Sequence, residues 1–508
     1  MARLPVVNGD EDNWGSVLVE FLQVEHDSDG TLKRLKRFSY DVVVYIDSGS
    51  VIARDYEGDL ISSGTAGTDD YTVLTAAQDN ASGLVVIMPG TYTLSNTLLI
   101  KNPTIGLGIG KTILKLGNNV QKTVIEMENK IFLSDLTIDG NYANNLEGES
   151  GWSGIDDVPV AHGIMTGKYW HNSESFEFAS DVILERIYIK NTLRSCLSFM
   201  GDKNVAKAIW LENSYTDHLL YISHATNSLV EGVFAEGMAE NEAVSVGWSE
   251  NNTVKHVYIH DLESGKWNYP TTAFIDRDTS AENWYENIRA VGASSDGVAI
   301  NFSGEKSIAR NISVETRGDI AYAIYVCNSD VILKDFYIKL TADDRTDTAH
   351  ALYIRKNCRV MDGYIECPAS SSHWRGININ PLDEAISDVI LRNISVDCHA
   401  DCAVRVNGSA YDVSWDYSDL YFLDKSNFNV TGTVKRLFKN SGSATITNGN
   451  TSVTVNHGLV DTPSNIRVTG AHSEVKDAYV TNVGTTSFDI NVGSAVSANR
   501  TVYWKAEV

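Results

Sequence analysis

The sequence predicts an all-β solenoid, in which the chain winds as a coil of short strands and each turn pairs with the next through parallel ladders. Three observations predict it. First, nearly the same ten residues recur as DVILERIYIK at 181–190, DVILKDFYIK at 330–339 and DVILRNISVD at 388–397. Second, segments beginning at Asn204, Asn227, Asn251, Asn283 and Lys306 fall into the same register, stretched by insertions near 262–271, at 341–348 and after 366. The period of about 23 residues is that of stacked repeats. Third, each unit holds two short β-branched runs in period-two alternation, separated by Asn, Asp, Gly or Ser, which is strand and turn chemistry. One turn of such a chain cannot bury its inner face alone, so stacking creates the core and the recurring letters are one rung written at different heights.

The elements follow in chain order. Residues 1–45 form an N-terminal segment, in which Val17, Leu18, Phe21 and Leu22 stand at helical spacing ahead of an Asp-Gly turn. So much apolar surface on so short a piece is expected to pack on something else. Residues 46–128 form the cap of the coil. DDYTVLTAAQDNASG predicts a short amphipathic helix over the first rung, and LVVIMPGTYTLSNTLLI starts the strand pattern. The coil occupies 129–435. From 436 to 508 the rungs give way to short alternating strands at the turn spacing of a small β-sandwich, a module that also offers a lid for the coil's unpaired edge.

At 508 residues the chain exceeds what one hydrophobic core usually holds, which suits an architecture that adds core by adding repeats. With 43% apolar and 21% charged residues and only 8 prolines, its composition is that of a folded soluble protein. No apolar run approaches the roughly 18 residues of a membrane span. Against 41 basic residues stand 66 acidic ones, a formal charge of −25, so nucleic acid and anionic membranes are repelled and neither is an expected partner. A neutral glycan feels no such repulsion. The N-terminus lacks the basic and apolar stretches of a secretory signal. The cysteines Cys196, Cys327, Cys358, Cys367, Cys398 and Cys402 are expected to be buried thiols, since CHADC is not a zinc spacing. There is no nucleotide-binding glycine loop, H-E-x-x-H or G-x-S-x-G, and no cofactor or metal is assigned. ADDRTDTAH at 342–350 has acids enough for calcium but lacks the EF-hand order.

Three stretches resemble viral tail proteins. RLPVVNGDEDNWGSVLVEFLQVEHDSDGTLK is similar to the virion-proximal segment of phage and prokaryotic-virus tail fibres and tailspikes. VVIMPGTYTLSNTLLI, followed by LTIDGN, resembles the opening turns of the pectate-lyase-like right-handed β-helix, and ATITNGNTSVTVNHGL looks like a C-terminal module of such spikes. The resemblance implies a homotrimer on the virion tail, attached through its N-terminus to other tail or baseplate proteins. It also implies recognition, and often depolymerisation, of a host cell-surface polysaccharide. Its letters are turn and core residues, so it speaks to fold more than to chemistry.

Aligning the rungs puts Tyr221, Phe274, Tyr325 and Tyr353 in one outward column, with Trp248, Trp267, Trp284 and Trp374 in or near turns of the same units. Rigid aromatic faces suit apolar pyranose faces, although rung-to-rung stacking produces such a column too. His350, Arg355 and Arg375 cluster on two adjacent rungs as candidate contacts for an anionic sugar. Asp276 and Asp278 are expected to project on one side, about 7 Å apart, between the separations of retaining and inverting glycosidases. At the strand starts a polar column sets His218 beside Glu242, and Thr271 between Glu242 and Asp296. Paired carboxylates serve glycoside hydrolysis because one protonates the leaving oxygen while the other activates water or attacks. The candidate catalytic acids are therefore Asp276, Asp278, Glu242 and Asp296, against the bland alternatives of solvated acidic turns and turn caps. Hydrolysis of a host glycan is the leading expectation. A non-catalytic glycan-binding adhesin, a lyase acting on uronic acids and a purely structural fibre remain alternatives.

Overall fold

The computed structural model describes residues 40–145, 161–170, 175–240, 242–264, 272–291, 298–316, 321–328, 330–341, 349–367, 374–380, 389–397, 402–406, 413–415, 421–422, 428–430, 439–459 and 462–508. The chain divides into two compact units, Met1–Lys190 and Asn191–Val508. The N-terminal segment, apart from its last few residues, lies outside the described residues, as do Trp267 and most of the 342–350 loop.

The first unit opens with an antiparallel meander, Val42–Asp47, Ser50–Asp55 and Leu60–Thr65. The helix Asp70–Asn80 follows and buries Val73, Leu74 and Ala77. Buried Asp70 accepts the backbone N–H of Gly67 (3.0 Å) and Thr93 (2.6 Å), while the Gln78 amide binds Thr104 Oγ1 (2.9 Å) and the backbone N–H of Lys101 (3.0 Å). These bonds fasten the helix to the first parallel rungs, among them Val85–Ile87, Thr104–Ile105 and Phe132–Asp139.

In the second unit the chain alternates between two all-parallel ladders. The long strands Val205–Ser214, Leu229–Ala239, Thr253–Ser264, Trp284–Val291, Ile308–Thr316, Val331–Leu340, Cys358–Glu366 and Val389–Asp397 each pair with the next. So do the short strands, from Leu197–Asp202 through Leu220–Thr226, Glu242–Gly247, Thr272–Asp276, Val298–Phe302, Tyr322–Val326 and Ala349–Ile354 to Trp374–Ile379 and Cys402–Val406. This is a parallel β-helix, with equivalent residues of uninterrupted rungs 24 apart.

The recurring decapeptide has a backbone cause. Every long strand bends at a shared left-handed position, held by Ala208, Gly232, His256, Asn287, Asn311, Asp335, Asp362 and Asn393, with φ between 51° and 73°. In DVILKDFYIK both Asp330 (φ 64°) and Asp335 (φ 54°) are left-handed, so the motif writes a rung's first corner and its middle corner. Asn and Asp tolerate that conformation better than other side chains. Their side chains also tie the corners together, as Asn393 Nδ2 donates to Asp362 Oδ1 (2.8 Å) and Asn287 Nδ2 to His256 Nδ1 (3.1 Å). A second, buried ladder sits at the rung starts. There the backbone N–H of Asn204 donates to Ser228 Oγ (3.0 Å), that of Ser228 to Asn252 Oδ1 (2.9 Å) and that of Asn252 to Asn283 Oδ1 (2.9 Å).

The insertion near 262–271 shifts the register by one residue. Thr272, not Thr271, stands opposite Glu242, and Val244 and Val246 face Phe274 and Asp276. Because a one-residue slip turns every side chain to the other face, Phe274 and Asp276 point inward, contrary to the expected outward columns. Phe274 is fully buried against Tyr285 and Phe302, at ring distances of 5.2 and 6.1 Å, and forms no sugar contact. Asp276 is also fully buried and accepts from Ser307 Oγ (2.6 Å). Gly304 makes room for it, since a Cβ there would meet Asp276 Oδ2 at 2.3 Å. Burial pushes the Asp276 carboxyl up to about 6, against the lowering contacts of Ser307, Tyr285, Ser280 and Asn283. In the next rung Val298, rather than Asp296, stands opposite Tyr322; Asp296 itself lies outside the described residues.

Residues 439–459 and 462–508 form two three-stranded antiparallel sheets. Ile446, Val455, Phe488, Ile490, Val502 and Trp504 make their shared core, the β-sandwich module expected from the alternation. Among the described cysteines, Cys196, Cys358 and Cys367 are buried free thiols, and Cys327 is a partly exposed one. No helix among the described residues is long and apolar enough to cross a membrane.

Candidate functional site

The outer face of the short-strand sheet carries the column Ser198, Tyr221, Ser245, Ile275, Asn301, Tyr325, Tyr353. At one end of it an ionic cluster closes around His218. Its Nδ1 contacts the Asp217 carboxylate, which accepts from Ser195 Oγ (2.9 Å). Its Nε2 stands 3.0 Å from Glu242 Oε2, an ion contact lying off the hydrogen-bond axis. The adjacency of His218 and Glu242 is the one the rung register predicts.

Arg277 completes the cluster because the strand ends at Asp276. The turn from Arg277 to Ser280 (N–H to carbonyl, 2.9 Å) swings the guanidinium back, so that Nη2 donates to Glu242 Oε2 (2.8 Å) and Nε to Ser245 Oγ (2.9 Å). It crosses over Gly247, where a Cβ would stand 3.1 Å from Arg277 Cδ. Asp278 therefore sits exposed in that turn instead of beside Asp276 on a strand.

Charge sets the protonation of the cluster. Burial alone would lower the His218 imidazole, but Asp217 and Glu242 outweigh it and bring it up to about 9. Burial alone would raise Glu242, but His218 and Arg277 outweigh it and hold the carboxyl below its usual range. At neutral pH the site thus holds an imidazolium against two carboxylates. The Glu242 and Arg277 side chains keep 13% and 32% of their surface exposed, so a ligand can reach their edges. Tyr221 packs on His218 at 4.8 Å.

Trp248 lies beside this cluster, 50% exposed, with its backbone N–H donating to Thr279 Oγ1 (3.1 Å) and its ring stacked on His224 at 5.6 Å. Both have left-handed backbones, with φ of 47° and 52°. A large residue in that region is strained, and such strain is held at working sites more often than elsewhere.

Along the column, Tyr322, Tyr325, His350 and Tyr353 stack at ring distances from 4.8 to 5.5 Å. Arg355 Nη1 donates to Tyr325 Oη (2.6 Å) and Asn380 Nδ2 to Tyr353 Oη (2.8 Å). This packing leaves Tyr353 6% and His350 7% exposed, so of the expected contacts here Tyr325 and Arg355 keep the more open surface. Asp278 lies near enough for its charge to act on Cys327, which is also within reach of the Arg355 charge. Trp374 and Arg375 stand opposite Ala349 and His350, but their side chains lie outside the described residues. Asp217 and Arg277 are the cluster members that register alone did not assign.

Among the described residues, the grouping with metal-ligand spacing is Asp55, Glu57 and Asp59, far along the chain from this cluster. Asp55 Oδ1 already accepts the backbone N–H of Glu57 (3.0 Å) and Asp59 (2.8 Å), which is ordinary turn chemistry.

No protein-family model and no curated protein matches the chain. Solved structures with a similar fold include the catalytic domain of Agl-KA, 13% identical, with a TM-score of 0.40 over 71% of this chain and 64% of that one. The catalytic domain of a GH87 α-1,3-glucanase in complex with nigerose is 12% identical, with a TM-score of 0.42 over 73% and 67%. The tailspike protein gp49 from Pseudomonas phage LKA1 is 10% identical, with a TM-score of 0.36 over 86% and 93%. The chain thus spans slightly less than two thirds of the Agl-KA domain. Likeness at this level carries no residue roles across.

Proposed function

We propose that this chain is a glycan-depolymerising β-helix of the viral tailspike type, hydrolysing a host cell-surface polysaccharide. The observation that supports it is the juxtaposition on one sheet face of ionised Glu242, protonated His218 and Arg277 beside an exposed, strained Trp248. A pyranose face packs on Trp248 and the exposed edge of Tyr221. Water attacks the anomeric carbon as the glycosidic C–O bond breaks. Its proton passes to Glu242, and the carboxyl of Asp278 at the rim is assigned the protonation of the leaving oxygen. His218 and Arg277 are positioning residues that keep Glu242 ionised. Tyr325, Arg355 and the edges of Tyr353 and His350 extend the binding face, with Trp374 and Arg375 on the following rung. The reading includes a homotrimer with residues 1–45 as the attachment segment to the virion tail.

The experiment is incubation with host envelope polysaccharide, followed by sizing of the sugar and assay of reducing ends. Shortening without ultraviolet-absorbing ends is expected. Binding without shortening would leave an adhesin. A lyase using His218 as base needs the neutral imidazole, which prevails only above about pH 9, so unsaturated ends at neutral pH would overturn both the hydrolysis and the role given to His218.

Two predictions arise at this site. The acid limb of kcat/KM should lie below the ordinary Glu range of about 4.3, because Glu242 is held low. His218→Gln should move that limb upward, since burial then dominates; an unmoved limb would remove His218 from the role. Trp248→Asn should leave the melting temperature unchanged or raised, because Asn tolerates the left-handed backbone, while glycan affinity falls about tenfold. Unaltered affinity in equilibrium binding would take Trp248 out of the site.

A further inference from the structure

We infer that the outer face of the long-strand sheet is a second carbohydrate-binding surface, which holds an uncharged polysaccharide chain lengthwise along the rungs. The inference rests on the reading of this chain as a glycan-binding protein, but not on the His218–Glu242 cluster, which belongs to the other sheet.

The strand registers put Trp210, Phe234, Tyr258, Arg289, Ser313, Tyr337 and Tyr364 in one outward column. At about 4.8 Å per rung it runs for about 29 Å. Its two ends are aromatic. Phe234 and Tyr258 lie 5.4 Å apart with the Arg289 guanidinium 5.3 Å over Tyr258, and Tyr337 and Tyr364 stack at 5.9 Å and 11°. Trp210 and Tyr364 are each 38% exposed. Ring-on-ring packing between rungs accounts for the spacing, but not for aromatic side chains that keep part of their surface open to water on five of the seven rungs.

The neighbouring column decides what covers them. It runs Glu212, Glu236, His260, Val291, Glu315, Lys339, Glu366, in register with the rings. Its polar groups are paired locally: His260 Nε2 lies 3.1 Å from Glu236 Oε2, Arg289 Nη2 3.8 Å from Glu315 Oε2 and Lys339 Nζ 3.7 Å from Glu366 Oε1. Tyr337 Oη also donates to Glu366 Oε2 (2.8 Å). The buried centre of a protein interface excludes Glu and Lys, whereas a sugar chain uses both features at once, ring faces on the aromatics and hydroxyls on the polar row. Carboxylates outnumber cations in the row, and the chain carries −25 overall, which disfavours an anionic polymer.

The test is native-gel retardation of the full chain in gels containing soluble glucan, mannan or galactan, with sedimentation to fix the particle mass. Wild type and Glu242→Gln are expected to be retarded by at least one of them. Trp210→Ala/Tyr258→Ala should weaken that retardation about tenfold, with the mass unchanged and the circular dichroism that of wild type. Tyr337→Ala/Tyr364→Ala, at the other end, should weaken it independently. Equal retardation in both double variants overturns the inference, as does no retardation of wild type by any neutral glycan. A fall in mass overturns it too, because a second copy then covers the face. Failure of wild type to shorten host polysaccharide would count against the proposed hydrolysis alone.

Discussion

Glu242→Gln is expected to slow glycan shortening by about 10²- to 10⁴-fold, the range of one acid–base group. Glutamine keeps the shape but cannot take a proton from water. It also sets a neutral amide between two cations, since Glu242 Oε2 lies 3.0 Å from His218 Nε2 and 2.8 Å from Arg277 Nη2. The imidazolium then keeps Asp217 as its near carboxylate and loses part of what holds its proton. Reducing-end kinetics measure the rate, and thermal melting reports whether removing one member of the cluster has also loosened the fold, a few kcal/mol being the usual order. A rate near wild type in a folded variant would exclude Glu242 from the chemistry.

The largest stability effect is expected at Asp276. Its pKa is raised from 3.8 to about 6 by burial. Between those values the folded state holds a proton that the unfolded state releases, so this group's contribution falls as pH rises from about 4 to about 6. Above about 6 the charge is buried in full, at a cost of about 3 kcal/mol. Asp276→Asn keeps an acceptor for Ser307 Oγ and carries no charge. The variant should match wild type near pH 4 and exceed it by about 3 kcal/mol at pH 7, measured by denaturant unfolding. Carboxylates held low, such as Glu242 and Asp135, act in the opposite sense, but they cancel in the variant-minus-wild-type difference. A difference independent of pH would show that Asp276 does not titrate as its surroundings imply.

What could be read from the sequence follows what the backbone must repeat. The left-handed corners favour Asn, Asp or Gly at fixed intervals, and six of the eight shared positions hold one, so Asp330, Asp335 and Asn393 advertise the rung even where core residues vary. His218 and Glu242 lie on neighbouring rungs with no insertion between them, and their adjacency was legible for that reason. Past the 262–271 insertion the string TTAFIDRD offers apolar residues to both faces, so pattern alone left Phe274 and Asp276 on the wrong side. The position of Arg277 depends on where the strand stops and on the open space over Gly247, neither of which alternation encodes. Asp217 stands in a turn, where a column drawn from strand positions does not extend.

The shared corner position, spaced by 24 residues in uninterrupted rungs, makes length a quantised property of this protein. Whole windings can be spliced in or out with every neighbour still matched, whereas the loss of a single residue inside a strand exchanges lining for lacquer. The number of windings is thus a simple dial, which lengthens the ladders while leaving their cross-section untouched.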